Sequence, residues 1–168
     1  MMSIWGEADA DEISDDPFRI EENWYLARAV ELYEKVVDAA EGHSQLIIKW
    51  KINEPDSQFN GLPVRQNPSY YKKRNDELDG EQIQRNGFLK LLLRQGFDLT
   101  PEEIKTFNPK MGLGKLAMIK VVNNPDKNNS DVIYNNVAAV LSERLYKERY
   151  GEDGEPPSDS NDDLLDEI

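Results

Sequence analysis

The chain has 168 residues, enough for one domain with a sizeable core, and no cysteine, which excludes disulfides and thiolate metal sites and fits a reducing cytoplasm. Its formal net charge of −13 at pH 7 looks hostile to nucleic acid until it is divided along the chain. Residues 1–22 carry eight acids and one arginine (−7), residues 151–168 carry eight acids and no base (−8), and residues 23–150 carry 19 bases against 17 acids (+2).

The two ends lack the apolar density that would offset ordering entropy and are expected to be disordered acidic segments flanking a domain over residues 23–150. The opening residues are acidic where a signal peptide is basic, and the longest purely apolar run, "VAAVL", is far too short to cross a bilayer. The expectation is a soluble, cytoplasmic protein with no membrane partner.

Within the domain, "NWYLARAVELYEKVVDAA" has mixed periodicity that fits a helix or a long, bent strand buried on parts of both faces. "SQLIIKWKINE" is clearer: Leu46, Ile48, Trp50 and Ile52 alternate with Ile47, Lys49 and Lys51, which predicts a half-buried strand with a basic outer face. "AEGHS" supplies the turn of a hairpin between these stretches. A turn at Asn60 and Gly61 precedes a short extended stretch with Val64 and Arg65. "GEQIQRNGFLKLLLRQG" has helical spacing and stops at Gly96, a candidate C-cap. "TPEEI" starts another helix, with Thr100 and Glu103 spaced as a capping box. "GKLAMIKVVNN" and "DVIYNNVAAVL" predict two further strands, and "SERLYKERY" a short amphipathic helix with Glu143 and Lys147 paired across one turn.

The order strand, strand, short strand, helix, strand, strand predicts an all-β fold with an inserted helix, an OB-fold-like five-stranded Greek-key barrel. An open α+β sheet is the alternative. The features "YLARAVELYE", "IIKWKINEPDSQFNGLPV", "FLKLLLRQGFD" and "KLAMIKVVNNPDKNNSDVIYNNVAAVL" together resemble a family of phage-encoded OB-fold proteins over residues 25–141. That resemblance implies single-stranded DNA binding in phage DNA replication or recombination. The acidic end resembles the C-terminal tips of bacterial and phage single-stranded-DNA-binding proteins, with Ile168 in place of the aromatic residue usual there.

Such binding needs cations that displace counterions and aromatic faces on which bases stack. "NPSYYKKRN" interleaves Tyr70 and Tyr71 with Lys72, Lys73 and Arg74, and strand alternation leaves one of the two tyrosines for stacking. Lys49, Lys51 and Arg65 are candidate phosphate contacts, whereas Trp50 has the parity of the core. "MGLGKL" lacks the residues of a phosphate-binding loop and predicts a turn before a strand. His43, the only histidine, has no triad or metal-ligand spacing around it. No catalytic constellation is visible, so a non-enzyme without cofactor or metal is expected.

In the tail, Asp162, Asp163, Leu164, Leu165, Asp166, Glu167 and Ile168 form a candidate peptide for docking on replication or recombination proteins, its acids speeding encounter. The same acids are candidates to compete with DNA for the basic groove. An adaptor or assembly factor that does not bind nucleic acid is the alternative function, and an acidic DNA mimic ranks behind it.

Overall fold

The stretch whose periodicity fitted both helix and strand forms a 16-residue strand, β1 (Asn23–Asp38). Its pairing slips between Ala29 and Glu31, a bulge that exchanges the two faces of the strand. Tyr25, Ala27 and Ala29 point into the core before the slip and Leu32 after it. The mixed parity of the sequence is the imprint of that one extra residue.

The computed structural model describes residues 20–128 and 133–151. After β1 come β2 (His43–Ile52), β3 (Pro63–Gln66), β4 (Ser69–Tyr71), β5 (Leu116–Pro125) and β6 (Ile133–Leu141). All six strands belong to one antiparallel sheet in the order β3-β2-β1-β5-β6, with β4 pairing the far end of β2. Among the described residues there are three α-helices, α1 (Gly80–Leu91), α2 (Pro101–Lys105) and α3 (Glu143–Tyr150), with short 3-10 turns at Asn75–Glu77 and Pro109–Met111. No described helix is long and apolar enough to cross a membrane.

The five-stranded closed barrel expected from the pattern is not formed. "SYY" adds a sixth strand, and the sheet is open, with no ladder joining its edges β3 and β6 among the described residues. A seam separates Gln66 of β3 from Ala138 and Val140 of β6, and Phe88, Leu92 and Gln95 of the helical layer line it. The chain leaving β6 donates from the Ser142 amide to the Gln95 carbonyl at 2.6 Å, so the helical layer takes a backbone bond at this seam. A Cβ on Gly96 would lie 2.6 Å from the Val140 side chain, which shows how closely the two layers meet there.

Gly96 is therefore selected by close packing and not as a left-handed cap; the positive φ in this turn belongs to Asp98, at 56°. α1 opens on a reciprocal capping box between Asp79 and Gln82 and runs into a single π turn, Leu92–Gly96. The Thr100 and Glu103 capping box forms as the sequence predicts. On α3, Arg144 makes the one-turn pair, with Glu148 at 3.1 Å, and also holds Asp98 at 2.8 Å; Glu143 and Lys147 do not pair.

The inner face of the sheet and the helical layer enclose one core, in which Trp50, Phe97, Leu46, Ile48 and Ile119 are buried. Ile20 is fully buried in the same core, three residues before the expected domain start at residue 23. A second, smaller cluster lies on the outer face, where α3 covers Trp24 and Leu141 with Tyr146. α3 thus closes one end of that face; elsewhere on it Lys51 and Arg65 are exposed, whereas Ile47 is buried.

Among the described residues, the hydrogen bonds between β4 and α1 run through one side chain. Asn86 accepts from the Tyr71 amide at 2.7 Å and donates to the Tyr71 carbonyl at 3.0 Å, so it stands in for a neighbouring strand. Asn86→Ala leaves both half-buried backbone groups without partners, at about 1–3 kcal/mol. The expected result is a lower denaturation midpoint at unchanged slope and faster amide exchange at Tyr71.

Candidate nucleic-acid interface

The alternation of β2 sends Gln45, Ile47, Lys49 and Lys51 outward. Cross-strand register then sets which side chains stand beside them. Lys49 is opposite Arg65 of β3 and Glu31 of β1, and Lys51 is opposite Arg28 of β1. Tyr33 is opposite Ile47, and Tyr71 of β4 is opposite His43. Directly opposed side chains on one face have Cβ atoms about 4.5–5.5 Å apart. Lys49 and Lys51, two residues apart on β2, are therefore joined on the outward face by the sequence-distant Arg65 and Arg28.

Two like-charged pairs, Lys49 with Arg65 and Lys51 with Arg28, thus lie in neighbouring rows of this face. Like charges directly opposite one another destabilise a sheet. The relief inside the protein is slight: Glu31 reaches Lys49 only at 3.9 Å, and Arg28 donates to the Gly114 carbonyl at 2.7 Å. Lys51 and Arg65 are exposed and make no ion pair among the described residues. A polyanion laid along these rows would screen the repulsion.

The two tyrosines part, as alternation requires. Tyr71 lies on the outward face and already stacks on His43, with ring centroids 4.7 Å apart and planes within 14°. His43 also bonds the Ser69 hydroxyl at 3.0 Å. Tyr70 faces inward, packed against the core, with its hydroxyl on the Glu34 carboxylate and Ser44. The basic run behind them is engaged by carboxylates: Lys72 with Glu34, Lys73 with Glu41 at 3.1 Å, and Arg74 with Glu77 at 3.0 Å and Asp76 at 3.5 Å. Of the expected stretch 70–74, Tyr71 shares the outward face with these cations, opposite His43 at the far end of β2.

The Lys72 ammonium, and after it the Tyr70 hydroxyl, hold the Glu34 carboxyl below its ordinary value of 4.5, while burial acts weakly the other way. Burial, and then Glu34 itself, push the Tyr70 hydroxyl up. A carboxyl with a lowered folded value contributes stability above about 4.5, and loses it as pH falls through the folded value. Lys72→Met is expected to move the Glu34 titration midpoint upward, read by carboxyl NMR, and to raise the pH at which acid unfolding begins.

Tyr33 is the aromatic that sequence reasoning missed. It is 46% exposed beside Ile47, on the same face as Lys49 and Arg65. The bulge preceding it hid its parity, as it did that of Arg28 on the other side of the slip. Exposed Val36 and Val37 continue beyond Tyr33 on the part of β1 that β5 does not pair. Among the described residues no cluster of three or more histidines and carboxylates has metal-binding geometry. The candidate docking peptide, Asp162 to Ile168, lies outside the described residues.

No protein-family model matches the chain, and no match was found among curated proteins.

Proposed function

We propose that this protein is a non-enzymatic single-stranded DNA-binding protein with little sequence preference, acting in DNA replication or recombination. The observation that carries the reading is the pair of opposed cation rows, Lys49 with Arg65 and Lys51 with Arg28, beside the exposed Tyr33 ring. Cations in register with an aromatic face provide the two elements such binding needs, phosphate contact and base stacking. The strand order β3-β2-β1-β5-β6, with the helix inserted before β5, supports an OB-like Greek key left unclosed at the β3 and β6 seam. In that fold the outer face of the second and third strands is the customary oligonucleotide surface. The tail from Asp162 to Ile168 would then recruit replication or recombination proteins.

The test is a fluorescence-anisotropy titration of the full chain with a labelled oligothymidylate and with a duplex of equal length. Preference for the single strand and affinity falling steeply with salt are expected. Absence of binding at low salt by both the full chain and a chain ending at Tyr150 would refute the reading. A protein-adaptor role is the second reading, favoured by the apolar side chains of Val30, Val36 and Val37 exposed along β1.

A further inference from the structure

On the opposite side of the sheet from the cation rows, a cleft of about 390 Å³ opens between α1, α2 and the far ends of β2 and β4. That volume lies within the range of about 300–1,000 Å³ usual for small-ligand sites. Its floor is apolar, with Leu46, Leu89 and Leu93 buried and Ile104 and Phe107 half-buried. Four lysines border it, 72, 73, 90 and 105, against one carboxylate, Glu34.

The lysines are not equivalent. Lys72 and Lys73 are engaged by Glu34 and Glu41. Lys90 of α1 makes no ion pair among the described residues. Lys105 of α2 reaches only Glu102, at 3.9 Å with both side chains largely exposed, a contact that contributes little. Two helices therefore each present an available cation beside an apolar floor. The wall also carries the amides of Asn75 and Asn86. Asn86 uses one lone pair and one N–H on the Tyr71 backbone and keeps one of each. An alkyl chain would desolvate these amides without replacing their partners, whereas the edge of a nucleobase offers donors and acceptors.

We propose that this cleft binds a nucleoside 5′-phosphate, with the base against Leu46, Leu93 and Phe107 and the phosphate between Lys90 and Lys105. The ligand is a free mononucleotide or the phosphorylated end of a strand, which share that chemistry. The site uses none of Arg28, Lys49, Lys51 or Arg65, so it stands or falls independently of the outward-face reading.

Calorimetry on the full chain with dTMP, thymidine and inorganic phosphate tests it. The expected result is saturable one-site binding of dTMP, with thymidine and phosphate each at least ten-fold weaker. Lys90→Glu with Lys105→Glu should weaken dTMP at least ten-fold, and both side chains are exposed, so folding is preserved. Lys51→Glu with Arg65→Glu should leave dTMP affinity unchanged. Methyl NMR should place the shifts induced by dTMP at Leu89, Leu93 and Ile104. Binding of dTMP no tighter than phosphate, or unaltered by the Lys90 and Lys105 substitutions, overturns the proposal. To separate the two sources, oligothymidylates with a 5′-phosphate and a 5′-hydroxyl are compared. A preference for the phosphate that disappears in the Lys90 and Lys105 variant assigns a strand end; equal affinities, with dTMP still bound, assign a free nucleotide.

Discussion

Lys51→Glu combined with Arg65→Glu is expected to lower affinity for an unstructured oligonucleotide at least ten-fold and to flatten its salt dependence. Each phosphate neutralised on a single strand contributes about −0.7 to the slope of log affinity against log salt. If Arg28, Lys49, Lys51 and Arg65 each hold one phosphate, the slope is about −2.8, and raising salt from 50 to 200 mM weakens binding about fifty-fold. Removing two contacts halves the slope and reduces that loss to about seven-fold. Both positions are exposed, so the substitutions act on binding and not on the core. Arg94→Glu with Lys110→Glu, an equal change of charge at two other exposed cations, is the control. Equal losses in the two double variants would show that net charge alone matters and that the rows are not the site. Tyr33→Ala should lower affinity with little change of slope, because a stacking ring contributes about 1–3 kcal/mol per base and neutralises no phosphate.

Trp50→Ala is expected to be the most damaging single substitution in the core. The indole is fully buried, stacks on Phe97 with centroids 5.5 Å apart, and donates from Nε1 to Gln66 Oε1 at 3.0 Å. Losing a fully buried large ring costs about 3–5 kcal/mol through lost transfer energy and the cavity left behind. For a domain of this size the melting temperature should fall by on the order of 10 °C. Trp50→Phe separates the two contributions. It keeps most of the packing but leaves the Gln66 acceptor unpaired in the core, at about 1–3 kcal/mol. Trp50 also opposes Val64 in the ladder, so its bond to Gln66 anchors β3 on both sides of Arg65. Trp50→Ala should therefore weaken oligonucleotide binding as well, and Trp50→Phe much less. Unchanged binding in a folded Trp50→Ala protein would show that Arg65 does not need an anchored β3.

Trp50 and the lysines beside it were legible in the sequence because alternation is a property of one strand. A period of two puts Trp50 inside and Lys49 and Lys51 outside whatever the partner strands are. The Thr100 and Glu103 box was legible for the same reason, since its donors and acceptors lie within one turn. β1 was not, because its bulge is defined against β2 and leaves only a blurred period in the chain.

The candidate site divides along that line. Composition by itself determined that the bases lie in the body and the acids concentrate at the two ends, and local pattern determined a β-rich domain with short capped helices. Tertiary structure alone decided which charges meet. Lys49 and Arg65, sixteen residues apart, became neighbours through the ladder of β2 with β3, and Arg28 met Lys51 through the ladder with β1. The basic stretch 72–74 met its counter-charges in the same way, because Glu34, Glu41, Asp76 and Glu77 came within reach of its cations. Closure of the sheet was decided in the same way, at the seam where the helical layer meets β3 and β6. The physical reason is common to all of these: turn and cap chemistry acts over a few residues and is written locally, whereas charge pairing and sheet closure act through space between segments whose separation along the chain is arbitrary.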